Sequence, residues 1–291
     1  MASSRWWLYV QAIFWRFLMR IGMFIHEIAP RPPRPLFTRT ITSDTSHPVV
    51  LHFYCPPNYH DQRKLGHRFP VAVNFHGGGF TLGAATDDSR WAKSVLDNVG
   101  AVMALLYLAT HAGELGLDVS RVALSGFSAG GNLAVTVPLR LRGRISTEVK
   151  ENMGRAESTQ NLLNQVSDLN IVALFSWYPI LDFEESRDHR RAMSLMPDKT
   201  LPAFFTTLFD EAYLPDLNER VSPFASPVHA SDRMLLEALP RDKPSVNAPR
   251  AMLIEKARHA WDKSPNPWRD QNSVDILYRD ACADMKAIFD R

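Results

Sequence analysis

Leu124-Ser125-Gly126-Phe127-Ser128-Ala129-Gly130-Gly131-Asn132 decides the fold of this chain, read together with His76-Gly77-Gly78-Gly79 upstream. The apolar triplet Val122-Ala123-Leu124 predicts a buried strand, and Asn132-Leu133-Ala134-Val135 opens a helix. Gly126-Phe127-Ser128-Ala129-Gly130 therefore falls on a strand-to-helix turn. A serine on so sharp a turn has strained backbone angles, and side chains at positions 126 and 130 would collide with the strand or the helix. The strain turns Ser128 Oγ outward at a helix start, where free backbone N–H groups and the positive end of the helix dipole favour an oxyanion.

Ala129 N–H is the first oxyanion donor that this geometry names. His76-Gly77-Gly78-Gly79 follows Val71-Ala72-Val73-Asn74-Phe75, a second apolar run that reads as a strand. Its glycines let backbone N–H groups approach a substrate oxygen, and Gly77 and Gly78 are the preferred donors. His76 is read as fixing this loop, because the loop faces the substrate oxygen and a base has to reach Ser128. Either motif alone is weak. Both together, in this order and each after a strand, point to an α/β-hydrolase scaffold with a mostly parallel sheet covered by helices on both faces.

These two motifs, with Tyr178-Pro179-Ile180-Leu181-Asp182 and Ser222-Pro223, resemble the hormone-sensitive-lipase-like branch of the α/β-hydrolases, a group of carboxylesterases and lipases. The likeness runs from about Phe37 to the C-terminus. It implies a serine esterase using a Ser, His and Asp triad on a small-molecule ester, a cap over the site, and no metal or organic cofactor. His259-Ala260-Trp261-Asp262-Lys263 matches the position of the family's catalytic histidine, although Ala260 stands where the family has glycine. The order Ser then His, after a final strand and before a closing helix, assigns His259 as the base.

The chain departs from the pattern twice. Relatives follow the strand at Ala101-Val102-Met103-Ala104 with Tyr-Arg-Leu-Ala-Pro-Glu and a loop. Here Leu105-Leu106-Tyr107-Leu108-Ala109 follows at once and a helical pattern runs to Asp118, still long enough for a parallel crossover. Between Leu239-Pro240 and the expected strand Ala251-Met252-Leu253-Ile254 there is also no apolar strand with the Asp-x-Leu that carries the triad acid. Asp242 is the nearest carboxylate in chain order and Asp182 the next. Neither is assigned the role, and the resemblance gives Asp182 a structural one. The departures motivate an alternative, a non-catalytic small-molecule binding protein or truncated variant built on the same scaffold.

The bulk composition narrows the partners. In 291 residues, 33 basic and 31 acidic side chains leave a net charge of +2, which excludes a nucleic-acid footprint. Cys55 and Cys282 are the two cysteines and have no metal-ligand spacing, so neither a disulfide framework nor a structural zinc site is expected. A reducing, cytoplasmic setting fits best.

Trp6 to Ile28 is the most apolar stretch, broken by Arg16, Arg20 and Glu27 on one helical face. Its charge-free run, Trp6 to Trp15, is short for a membrane span, and no small-residue cleavage site follows. It reads first as an amphipathic cap helix, and second as a peripheral membrane contact. Pro30, Pro32, Pro33 and Pro35 make a stiff linker, so residues 1–35 form a cap helix and linker, and 36–291 the main domain with a cap insertion at about 184–220. Strands are expected at Phe37–Ile41, Val49–Tyr54 and Ile171–Trp177, and helices at Asp87–Val99, within 188–216 and at Val274–Phe289. The last carries Leu277, Ala281, Met285 and Ile288 on its apolar face, and Arg140–Asp168 reads as a polar surface excursion.

Overall fold

The computed structural model describes residues 3–28, 31–41, 48–103, 108–151, 169–240, 259–263 and 270–291. Its centre is a parallel four-stranded sheet in the order β4-β3-β5-β6, formed by β3 (Phe69–Phe75), β4 (Val102–Met103), β5 (Leu117–Phe127) and β6 (Ile171–Trp177). β1 (Phe37–Ile41) and β2 (Val49–Phe53) form a separate antiparallel hairpin. The helices are α1 (Arg5–His26), α2 (Tyr59–Lys64), α3 (Ser89–Asn98), α4 (Leu108–Leu115), α5 (Ala129–Glu151), α6 (Arg187–Ala192), α7 (Ala203–Tyr213), α8 (Asp232–Ala238) and α9 (Gln271–Phe289).

Strand alternation builds two cores. Val71, Val73 and Phe75 of β3, with Val122 and Leu124 of β5, pack with the hairpin residues Leu51 and Phe53, with Tyr59 of α2 and with Leu115 of α4. The intervening Ala72 and Ala123, and Phe127, face the other way, onto Trp91 and Val95 of α3 and Tyr278, Cys282 and Met285 of α9. Small residues on this second face leave room for the large Trp91 and Tyr278 rings, both fully buried.

α3 and the sheet agree with expectation, and β6 has the expected bounds. Three elements differ. β5 begins at Leu117, so the helical pattern expected to reach Asp118 stops at Leu115, where Gly116 adopts φ 62°. α5 continues to Glu151, carrying helix into the stretch expected to be a surface excursion. α9 buries Val274, Tyr278, Cys282, Met285 and Phe289, a stripe rotated from the expected one that shares only Met285 with it.

Registry sets the carboxyl ends of three strands side by side. Gly126 pairs with Phe75 on one flank and Ser176 on the other, and Phe127 pairs with Trp177. The residues that leave these strands, His76, Ser128 and Tyr178, therefore emerge along one edge of the sheet, where sites in open parallel sheets lie.

α1 and α7 pack together over this region. Leu8, Trp15 and Met19 of α1 meet Phe205, Leu208 and Phe209 of α7 and Leu82 from the loop after Gly79. The Trp15 ring stacks on Phe204 and lies 4.5 Å from Phe205, so the aromatics of α7 serve as packing.

Candidate active site

β5 ends at Phe127, α5 begins at Ala129, and Ser128 between them has φ 56°, a left-handed conformation strained for any residue with a Cβ. The flanking glycines are required by contact. A Cβ on Gly126 would stand 2.1 Å from Gly130 O, and one on Gly130 would stand 1.9 Å from Phe75 O. Ser128 N–H donates to Trp177 O at 2.9 Å, which pins the corner to the end of β6.

The glycine loop lies against this corner. A Cβ on Gly77 would come 3.7 Å from Ser128 Cβ, so the Gly77 backbone passes beside the serine. Gly78 has φ 112° and Gly79 φ 60°, and the His76 ring Nδ1 is 2.7 Å from Gly77 O, in keeping with a loop-fixing histidine. Ala129 opens α5 directly after the serine, with its backbone at the helix N-terminus.

His259 reaches the serine from the opposite end of the sequence. Its Nε2 is 2.8 Å from Ser128 Oγ, and the serine keeps 8% of its surface exposed. With the proton on Nδ1, the hydroxyl donates to Nε2, the geometry in which an imidazole removes a serine proton. Burial holds the His259 pKa down at about 4; the positive charge of Arg187 pushes the same way and Asp262 pulls against it. The imidazole is therefore neutral around pH 7.

The carboxylates proposed from sequence do not meet this histidine in the described structure. Asp182 Oδ1 accepts from Glu184 N at 2.7 Å and Glu185 N at 3.3 Å, which commits it to its own turn. Asp242 and the expected strand at 251–254 lie outside the described residues. Among the described residues, Asp262 is the carboxylate whose charge acts on His259, and Tyr178 stands between them. The Tyr178 ring packs edge-on against the imidazole at 4.9 Å, and its hydroxyl donates to Asp262 Oδ1 at 2.5 Å.

Asp262 belongs to a buried polar network beneath the elbow. It accepts from Tyr278 OH at 2.6 Å and pairs with Lys263, whose Nζ lies 2.7 Å from Asp88 Oδ1 and 4.2 Å from the centre of the Phe127 ring. Asp88 Oδ2 accepts from Asn74 Nδ2, Asn74 Oδ1 accepts from Ser125 Oγ, and Ser125 Oγ accepts from Trp91 Nε1. Burial opposes the charge on Asp262, but Lys263 and the two tyrosine hydroxyls outweigh it and hold the carboxyl below its ordinary range. Both hydroxyls are pushed well above theirs, by burial first and then by Asp262.

Sequence reading missed Asp262, Lys263 and Arg187. The available signal was the adjacent opposite charges directly after Trp261, within the segment that delivers His259. Arg187 forms a two-bond pair with Asp210, at 2.8 and 2.6 Å, and brings a cation near the histidine.

A family profile described as the α/β-hydrolase fold matches residues 100–242, a span that includes the elbow. The chain has the α/β-hydrolase fold. Its likeness to the hormone-sensitive-lipase-like branch stands with that assignment. The carboxylesterase NlhH of Mycobacterium tuberculosis is 25% identical over 181 residues, which is 50% of this chain and 55% of NlhH. The esterase LipI of the same organism is 28% identical over 117 residues, 33% of this chain and 35% of LipI. The chain thus spans about half or less of the length of the curated relatives it matches.

Among solved structures, the thermostable carboxylesterase EstE1, cloned from a metagenomic library, superposes on this chain with a TM-score of 0.67 at 17% identity, over 96% of this chain and 97% of that one. A Pyrobaculum calidifontis esterase gives 0.66 at 18%, over 95% and 92%. A thermostable Pseudomonas putida esterase gives 0.64 at 17%, over 96% and 90%. At such identities the likeness concerns the fold.

Proposed function

We propose that this α/β-hydrolase cleaves carboxylic esters through an acyl-enzyme on Ser128. The observation that carries the reading is the 2.8 Å approach of His259 Nε2 to a serine held at φ 56° beside the Gly77 backbone. The esterase names of NlhH and LipI support ester over amide substrates.

In this reading His259 takes the Ser128 proton as Oγ attacks the acyl carbonyl, then returns it to the leaving alcohol. The N–H groups of Gly77, Gly78 and Ala129 hold the oxyanion, and water activated by His259 releases the acid. Asp262 lowers the cost of forming the imidazolium through its charge, acting across Tyr178 rather than by a direct hydrogen bond. No cofactor takes part in these steps.

The test is hydrolysis of short p-nitrophenyl esters, with Ser128→Ala as control, together with labelling by a fluorophosphonate probe. Turnover and labelling that both vanish in the control are expected. A wild-type rate equal to the control and an unlabelled serine reject the reading. A second reading, a binding protein on the same scaffold, is favoured by one observation: no carboxylate hydrogen-bonds His259 among the described residues. Saturable binding of an uncleaved ester by an unlabelled protein would select it.

The domain reading carries over as part of the proposal. Residues 1–35 and a segment at about 184–220 act together as a cap over the main domain, through the packing of α1 on α7.

A further inference from the structure

We infer that the outward face of α1 is a membrane-docking surface that seats the protein in the plane of a bilayer containing anionic phospholipid. The inference is independent of the catalytic reading, since it rests on a surface away from Ser128.

α1 has 22 residues and is apolar on nearly every side. Leu8 and Ala12 are its buried apolar residues, and with Trp15 and Met19 they mark one narrow stripe facing α7. At about 100° per residue, Phe17 falls opposite Leu8, and Trp6, Ile13, Ile21 and Phe24 fall within the arc around Phe17. That arc is open: Trp6 is 71% exposed, Phe24 69% and Phe17 62%. Ten large apolar side chains of α1 are exposed in all, more than scattered surface hydrophobics account for.

The helix is tied down along its length, so it lies on the protein and does not leave it. Ser3 N–H donates to Glu211 Oε2 at 3.2 Å, Arg16 Nε donates to Thr81 O at 2.8 Å, and Arg90 donates to His26 O. By length and composition α1 could span a bilayer, but spanning would strip these bonds and the α7 contact. Lying in the interface keeps them and buries only the open arc.

Charge selects the occupant. Within residues 5–28, Arg5, Arg16 and Arg20 face a single acid, Glu27, and Arg31 and Arg34 follow. Arg20 borders one edge of the open arc, where its long stem can lie along lipid while its guanidinium meets phosphate, and Arg16, held at Thr81 O, adds its charge beside it. A second copy related by a two-fold axis would present the same apolar arc with the same cationic border, and would bring no surplus of acidic groups to meet it. An anionic headgroup layer supplies the missing complement, and Trp6, Trp7 and Tyr9 are side chains that favour the headgroup level. Docking there would bring the loop that contains Leu82, and through it Gly77–Gly79, close behind the membrane surface.

The test floats the purified full chain with mixed phosphatidylcholine–phosphatidylglycerol vesicles and with pure phosphatidylcholine vesicles. Wild type is expected to rise with the mixed vesicles, and to do so less with pure phosphatidylcholine or in high salt. Trp6→Ser/Phe17→Ser/Phe24→Ser leaves the α7-facing stripe intact and is expected to stay at the bottom, its fold checked by circular dichroism. Should that variant not fold, wild-type fluorescence decides: brominated lipid quenches exposed Trp6 and Trp7 but cannot reach buried Trp91. A wild-type chain that neither floats nor is quenched overturns the inference. So does a wild-type dimer that the triple substitution converts to monomer without any vesicle binding.

Discussion

His259 is a base made weak by its surroundings. Burial and the Arg187 charge hold its pKa at about 4, against an ordinary 6.5. For activity the neutral form is needed, so the acid limb of kcat/KM should fall near pH 4 rather than 6.5, with a flat profile through neutrality. Replacing the partly buried ion pair as a whole, Arg187→Met with Asp210→Asn, removes the repulsion and should move that limb upward. An acid limb at 6.5 in wild type would mean that the histidine is not desolvated as described. The next residue carries a separate strain. Ala260 has φ 57°, at the position where the resemblance expects glycine. Ala260→Gly relieves the Cβ clash at the cost of a looser unfolded chain, and should raise stability by up to about 1 kcal/mol in urea unfolding. A clear loss of stability would show that the backbone there is not left-handed.

The short turn that carries His259 packs Trp261 against the core, and the Asp262–Lys263 pair ties it to α3, α9 and the end of β6. Lys263→Met leaves Asp262 and Asp88 buried without their shared cation, whereas Asp262→Asn leaves Lys263 still paired with Asp88. Stranding a buried charge costs about 3–5 kcal/mol, so both variants should lower the urea midpoint, Lys263→Met by more. The reverse order would show that the lysine, not the carboxylates, is the costly group. This network also explains what sequence could and could not reveal about the elements. Strand β6 was legible to the residue because its run of seven, apolar but for Ser176, is too short for a helix and is bounded by Asn170 and Tyr178-Pro179. On α9, hydrophobicity alone favours Leu277 and Ile288, yet Tyr278 takes the inside because its hydroxyl has a buried partner in Asp262. The elbow and His259 were legible because glycine spacing and chain order encode local geometry. Asp262, Lys263 and Arg187 were not, since their meaning depends on partners remote in sequence.

Across the whole molecule, the perturbed groups combine into one pH dependence of stability. His259 binds its proton less readily folded than unfolded, so its contribution is present above pH 6.5 and is lost as pH falls from there to about 4. Asp262, also depressed, adds a further loss on the same side as pH falls below the ordinary 3.8. On the alkaline side the sign reverses. Burial pushes the Cys55 and Cys282 thiols from 9.0 up to about 12, so the folded chain holds protons that the unfolded chain has released, and stability declines as pH rises through that interval. Tyr178 and Tyr278, raised by burial and by Asp262, and Lys263, raised by Asp262 and Asp88 against its burial, add to the decline above about 10. The thermal midpoint should therefore form a plateau between about pH 6.5 and 9 and fall on both sides. Cys282→Ala/Cys55→Ala should flatten the first part of the alkaline fall while leaving the acid side in place. A midpoint that keeps rising from pH 7 toward 10, or an alkaline limb indifferent to removal of both thiols, would refute the assignment of these buried groups.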